Sequence, residues 1–212
     1  AAGIGIITNG EIAKSVGITS GMTVEQFATA LEKIKKQDSS LIPYAAVTKN
    51  PDLKDAVPWM WGFGSDVVTD DLKCTLGDAE SVKAVTWYKS LQDAGLTQTN
   101  VARSDARILF ASGRAALYDD APLASTFVKT NGAAQNIIDN IGAISRPTAG
   151  GKDSYNRAWG SGVFATAGEG ELTSRDFILY AATNVEAATA LYENSAVAPA
   201  AKSVADKIPA LA

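Results

Sequence analysis

Apolar residues recur along this chain in two rhythms, and the alternation between them lays out its elements. Residues 3–8, GIGIIT, form a short apolar run of strand length. Then follows MTVEQFATALEKIKK, where Phe27, Leu31 and Ile34 return at helical spacing. Thr23 with Gln26 three residues on reads as a capping box, while Lys33, Lys35 and Lys36 gather where the helix dipole favours positive charge. Residues 41–47 are predicted as a second strand, and Asn50-Pro51 interrupts the chain. Over 78–94, Val82, Val85, Tyr88 and Leu91 fall three apart, which predicts one core-facing stripe, and Gly95 suits the left-handed residue that ends a helix. Residues 104–111 predict a helix, the run ending near Tyr118 a strand, 125–129 a helix, and 141–144 a strand closed by the turn-rich 146–151. Two late helices are expected at 174–182 and 184–193, the second opened by Thr183 with Glu186 as its capping-box partner. Strands alternating with helices throughout give an α/β architecture, whose ligands gather near strand ends.

Composition narrows the function classes. The 212 residues suit one large domain or two small ones, and 46% hydrophobic with 20% charged residues is ordinary for a soluble globular protein. The net charge of −4 comes with scattered lysines and arginines, so no nucleic-acid footprint is present. There is no histidine, which removes Ser-His-Asp and Cys-His catalysis, His-ligated zinc and the usual neutral-pH general base. Cys74 is the single cysteine and excludes an intrachain disulfide. No cofactor motif survives inspection. The Gly-x-Gly at Gly3 lacks a third glycine; Gly150-Gly151-Lys152 has Arg146 where a phosphate loop needs glycine and Asp153 where it needs Ser or Thr.

Composition changes most at PWMWGFGSD, where Trp59, Trp61 and Phe63 stand beside Gly64 and Asp66. Such a cluster serves a core or a binding surface equally well. Two adjacent acidic pairs, Asp70-Asp71 and Asp119-Asp120, are the acid and base an enzyme acting on carbohydrate would use. Neighbouring carboxylates in an extended strand point to opposite faces, however, so neither pair sets two groups across one bond.

The order of these pieces resembles the extracellular solute-binding proteins of sugar ABC transporters, family 1. IGIITNGEIAKSVGI is similar to the family's strand and Tyr-Asn segment, with Thr8 in place of the tyrosine before Asn9; MTVEQFATALEKIKK resembles its Thr-x-x-Glu-Phe helix. GFGSD resembles its Gly-Gly-Asp with Ser65 for the second glycine, FASGRAALYDDAPL its Phe-x-x-Gly-x-Ala-Ala-Met-x-x-x-Gly-Pro-Trp, and WGSGVFAT its later glycine-rich crossing. Where relatives have Gly-Pro-Trp this chain has Ala121-Pro122-Leu123, so stacking on sugar has to come from elsewhere.

The resemblance implies a type II periplasmic-binding-protein-like lobe, a mixed sheet flanked by helices, over 1–165, and over 166–212 helices that in relatives return to a first lobe. Nothing here corresponds to that first lobe, so a fragment or a truncated form is expected. The implied function is to bind a sugar or oligosaccharide outside the cytoplasm, periplasmic or at the cell surface, and deliver it to ABC-transporter permease subunits. No cofactor, metal or catalytic residue is implied. The ligand surface is expected at Trp59, Trp61, Asp66, Asp120 and Trp159: Trp61 and Trp159 stacking, Asp66 and Asp120 accepting from hydroxyls, Trp59 either there or in the core. The late helices would present Phe177, Leu179 and Leu191 to a new partner, such as a second copy of the chain. A carbohydrate-active enzyme using an Asp pair and a protein-interaction domain built on the 59–63 aromatics are the rival readings.

Overall fold

The computed structural model describes residues 4–49, 55–121, 124–149, 171–195, 198–199, 201–209 and 211. Residues 4–120 and 124–149 belong to one compact unit, and those from 171 onward to another. The boundary expected between 165 and 166 falls outside the described residues.

In the first unit β1 (Gly5–Asn9) runs straight into α1 (Gly10–Val16). Asn9 caps that helix, its side chain accepting from the Glu11 and Ile12 amides, and Gly17 stops it at φ 80°, a conformation that favours glycine. α2 (Val24–Gln37) starts on the expected capping box: Gln26 N donates to Thr23 Oγ1 at 3.3 Å, and Thr23 N to Gln26 Oε1 at 2.9 Å. Its Phe27, Leu31 and Ile34 are buried, as their spacing predicts. β2 (Ile42–Ala45) follows, and the aromatic segment becomes a short helix, α3 (Val57–Gly62), with Pro58 in its first turn, where no amide is needed.

α4 (Ala79–Asp93) departs from the expected face: Val82 and Val85 are 56% and 49% exposed, while Ser81, Ala84 and Leu91 are buried. The helix is rotated by about one residue because its polar end is tied inward. Ser81 Oγ donates to Ser65 Oγ at 2.8 Å and to the Thr75 carbonyl at 3.2 Å, and Asp78 caps the Ser81 amide at 2.7 Å. α5 (Arg103–Ala111), β3 (Ala115–Asp120), α6 (Ala124–Thr130), α7 (Gln135–Asp139) and β4 (Ile141–Ile144) complete the unit.

The four strands form one mixed sheet in the order β2-β3-β1-β4, with β2 parallel to β3 and β1 antiparallel to both β3 and β4. Gly5 lies opposite Asp120, and Ile6 opposite both Asp119 and Ile144. The C-terminal ends of β2, β3 and β4 therefore meet the start of β1 along one edge. Successive strand residues face opposite sides. Ile6, Tyr44 and Leu117 join Phe27, Leu31 and Trp59 in one core, while Ile7, Ala45 and Tyr118 join Phe110, Val128 and Ile137 in the other. Helices thus cover both faces, α1, α2 and α4 on the first and α5 to α7 on the second.

The second unit holds α8 (Glu171–Thr183), α9 (Val185–Ser195) and α10 (Lys202–Ala205). Its small core is Ala188, Val204 and Ile208. The cap of α9 is not Thr183. Asn184 Oδ1 accepts from the Ala187 amide at 2.9 Å, while the Thr183 hydroxyl donates back to the Leu179 carbonyl at 2.6 Å and so belongs to the end of α8. Phe177, Leu179, Tyr180 and Leu191 are exposed.

Candidate functional site

β3 ends on two adjacent carboxylates, and the pleat sends them to opposite faces of the sheet. Asp119 enters the core of Trp59 and Tyr44. Its carboxylate accepts from Arg146 Nη2 at 2.6 Å and from the Tyr44 hydroxyl, and its carbonyl from Arg103 Nη1 at 2.8 Å. Arg103 also pairs with the buried Asp55. Asp120 turns the other way and is held in a fork by Arg107, Nε to Oδ2 at 2.7 Å and Nη2 to Oδ1 at 2.9 Å. The Arg107 guanidinium lies 3.6 Å over the Phe127 ring. At this edge three buried carboxylates meet three guanidinium groups.

Burial and this field move the neighbouring titrations. Tyr44 is held well above the ordinary phenol range, first by burial and then by the Asp119 charge. Tyr118, on the opposite face, is raised by burial and by Asp120. For Arg146, burial is the largest single influence and acts to lower the pKa, but the Asp119 charge and hydrogen bond together with Tyr44 outweigh it, and the guanidinium stays protonated.

The candidate residues fall at different depths. Trp59 is 1% exposed; its ring sits 4.7 Å from that of Trp87, and 6.0 to 6.3 Å from those of Phe27, Tyr88 and Tyr44. The Arg146 guanidinium covers it at 4.4 Å. Trp61 is half-buried against the small cluster of Val57, Met60 and Ala84. Asp66, also half-buried, follows Ser65, which donates to Asp78 Oδ2 at 2.9 Å and accepts from the Val67 amide at 3.1 Å. Asp120 is 2% exposed. Trp159, with Pro122, Leu123 and 160–162, lies outside the described residues. The structure thus gathers Trp59 and, back to back, Asp119 and Asp120 at the sheet edge, and sets Trp61 and Asp66 around the end of α3. A surface cleft of about 540 Å³ lined by Gly17, Thr19, Gln26, Thr29 and Lys33 among others is bordered by none of these candidates.

The sequence reading missed the arginines. Arg103 and Arg107 are four apart on α5, which puts two guanidinium groups on one helix face, and an Asp pair ending an apolar strand needs cations nearby. That signal was available. Arg146 carried none, since only the fold brings β4 beside β1. Among the described residues no group of three or more His, Cys, Asp or Glu is placed to hold a metal, and no helix is long and apolar enough to cross a membrane.

The family described as bacterial extracellular solute-binding protein matches residues 1–211. The chain belongs to this family. Membership implies an extracytoplasmic location for this solute-binding protein. It is similar to a binding protein of Brucella abortus (strain 2308), 31% identical over 99 residues, which are 45% of this chain and 24% of that one. In fold it matches maltose-bound T. maritima MalE3 with a TM-score of 0.75 at 18% identity, over 98% of this chain and 55% of that one. The GacH receptor of Streptomyces glaucescens GLA.O, solved unliganded and with acarbose, gives 0.75 at 21% identity, over 99% and 53%. The likeness to these structures is one of fold, the type II periplasmic-binding-protein-like arrangement of a mixed sheet flanked by helices. The chain spans about half the length of these solved solute-binding proteins.

Proposed function

We propose that this solute-binding protein takes up a sugar or oligosaccharide outside the cytoplasm, in the periplasm or at the cell surface, and delivers it to the permease of an ABC transporter without chemical turnover. The observation that carries the proposal is the family match along residues 1–211, joined to a fold whose solved examples hold maltose, acarbose, α-D-tagatose and ribitol. Sugars offer apolar ring faces and hydroxyls, and aromatic rings beside carboxylates suit both. Trp61 and Asp66, half-buried around the end of α3, are proposed as direct contacts. Trp159 is proposed as the second stacking ring. Trp59 and Asp120 support that surface from behind, through the Arg146 and Arg107 contacts. The separation of Asp119 and Asp120 onto two faces, each neutralised by its own arginine, favours a binder over an enzyme built on that pair.

Titration of the protein with maltose, acarbose, tagatose and ribitol, followed by tryptophan fluorescence and calorimetry, tests the proposal. Saturable binding with the sugar recovered intact is expected. Steady hydrolysis lost in Asp119→Asn or Asp120→Asn would establish the enzyme, and no heat or fluorescence change with any of the four would reject the carrier.

A further inference from the structure

Among the described residues, three N–H donors in one buried contact find no acceptor: Nε and Nη1 of Arg146, and the indole Nε1 of Trp59 that its guanidinium covers. Both residues are more than nine-tenths buried. A buried donor left unpaired loses its bond to water with nothing in return, so native interiors rarely keep even one, and three on two stacked side chains call for acceptors. The nearby protein acceptors are committed. The Asp119 carboxylate receives Arg146 Nη2 and the Tyr44 hydroxyl, the Asp119 carbonyl receives Arg103, and Asp55 pairs with Arg103. Tyr44, whose hydroxyl hydrogen goes to Asp119, helps keep the Arg146 guanidinium protonated, but its oxygen completes no hydrogen bond of good geometry with these two nitrogens.

The charge of the acceptor follows from the same contacts. Arg146 is already matched by Asp119 at 2.6 Å. A second anion on its remaining nitrogens would meet the Asp119 charge at close range in a medium of low dielectric, and the other cation beside it among the described residues, Arg103, is already paired with Asp55. A neutral oxygen meets no such opposition and supplies the lone pairs the donors need. We propose that Arg146, just past β4, and Trp59, on α3, line a buried seat for neutral oxygens, filled by internal water or by hydroxyls of the bound solute. The two sources share one chemistry. The solute source rests on the carrier reading above; the water source does not.

Nuclear magnetic resonance on the uniformly ¹⁵N-labelled 212-residue chain tests this, with the Trp59 indole and Arg146 Nε–H resonances assigned through bonds and by their mutual through-space contact. Water-selective cross-relaxation peaks to both hydrogens in the free protein are expected, with the indole hydrogen shifted downfield as a bonded donor. If these peaks persist in excess maltose, water is the occupant. If maltose removes them and shifts both resonances, a solute hydroxyl takes the seat. Should calorimetry show that maltose does not bind at all, the water peaks still decide the matter, so failure of the carrier reading and failure of this one are separable. Two results would overturn the proposal: neither water peaks nor a maltose-induced shift at these two hydrogens, or shifts that follow chloride when it replaces gluconate at constant ionic strength, which would make the seat an anion site.

Discussion

Asp119 and Asp120 are neighbours in sequence and belong to different environments. Asp119 is sealed with Arg146 inside an aromatic core, where both side chains are at most 4% exposed; Asp120 is held by an Arg107 whose side chain is 21% exposed and rests on the outer ring of Phe127. The first pair is closed off from bulk solvent and the second borders on it. A charge removed from water needs its partner far more than one that water can still reach, so one bond type should have two very different consequences when broken.

The largest effect is expected from Asp119→Ala, which leaves the Arg146 charge uncompensated in the core. A loss of about 3–5 kcal/mol in urea unfolding is predicted. The paired replacement Asp119→Leu with Arg146→Met should return most of it, ending within about 2 kcal/mol of the parent, because the desolvation cost of both charges disappears together. A single-site loss below about 1 kcal/mol would mean that bulk solvent reaches Arg146.

Arg107→Ala breaks the other pair and is expected to cost less, about 2 kcal/mol for two charged hydrogen bonds at a partly wetted site. Equal losses for Asp119→Ala and Arg107→Ala in the same assay would erase the distinction between the faces.

Alkaline pH probes both faces at once through their tyrosines. Tyr44 beside Asp119 and Tyr118 beside Asp120 both hold their protons more tightly folded than unfolded. Their stabilising contribution is therefore complete below the unfolded pKa of about 10 and is lost as pH rises above it, at roughly 1.4 kcal/mol per pH unit for each tyrosine that stays protonated in the fold. Urea midpoints measured from pH 9 to 11 should fall, and Tyr44→Phe should remove about one proton's worth of that slope. An unchanged slope in Tyr44→Phe would contradict the raised phenol.

The smallest effect belongs to the exposed pair Lys89–Asp93 on α4, where the two side chains are bonded at 2.6 Å. Lys89→Ala should change stability by no more than about 0.5 kcal/mol, fading in high salt. Thermal scans at low and high salt set this baseline for the buried pairs.

What could be read from the chain divides along the same line of local against distant causes. The Thr23–Gln26 capping box, the buried stripe of α2 and the Ile141–Ile144 strand were legible because each is specified within a few residues. The face of α4 was not, since its rotation is set by Ser65 and Thr75, outside the helix. α3 was hidden because six residues with two tryptophans carry no helical period. Of the site, the Asp pair and the tryptophans were visible as residue types. Their partners were not: Arg146 meets Asp119 from 27 positions away and Arg103 meets Asp55 from 48, distances at which sequence spacing says nothing.

The order β2-β3-β1-β4 has a further consequence for how the molecule is made. β1 sits inside the sheet, yet neither strand that flanks it is near it in sequence; Ile6 pairs with Asp119 on one side and with Ile144 on the other. On the ribosome, at about 5–20 residues per second, β1 emerges roughly ten seconds or more before its last neighbour exists. Throughout that interval Ile6 and Ile7 lie on a strand with two open edges, free to pair with another nascent chain, and the long loop closures that follow slow the docking further. Yield on expression should therefore depend on what shields Gly5–Asn9 during synthesis as much as on the stability of the finished sheet.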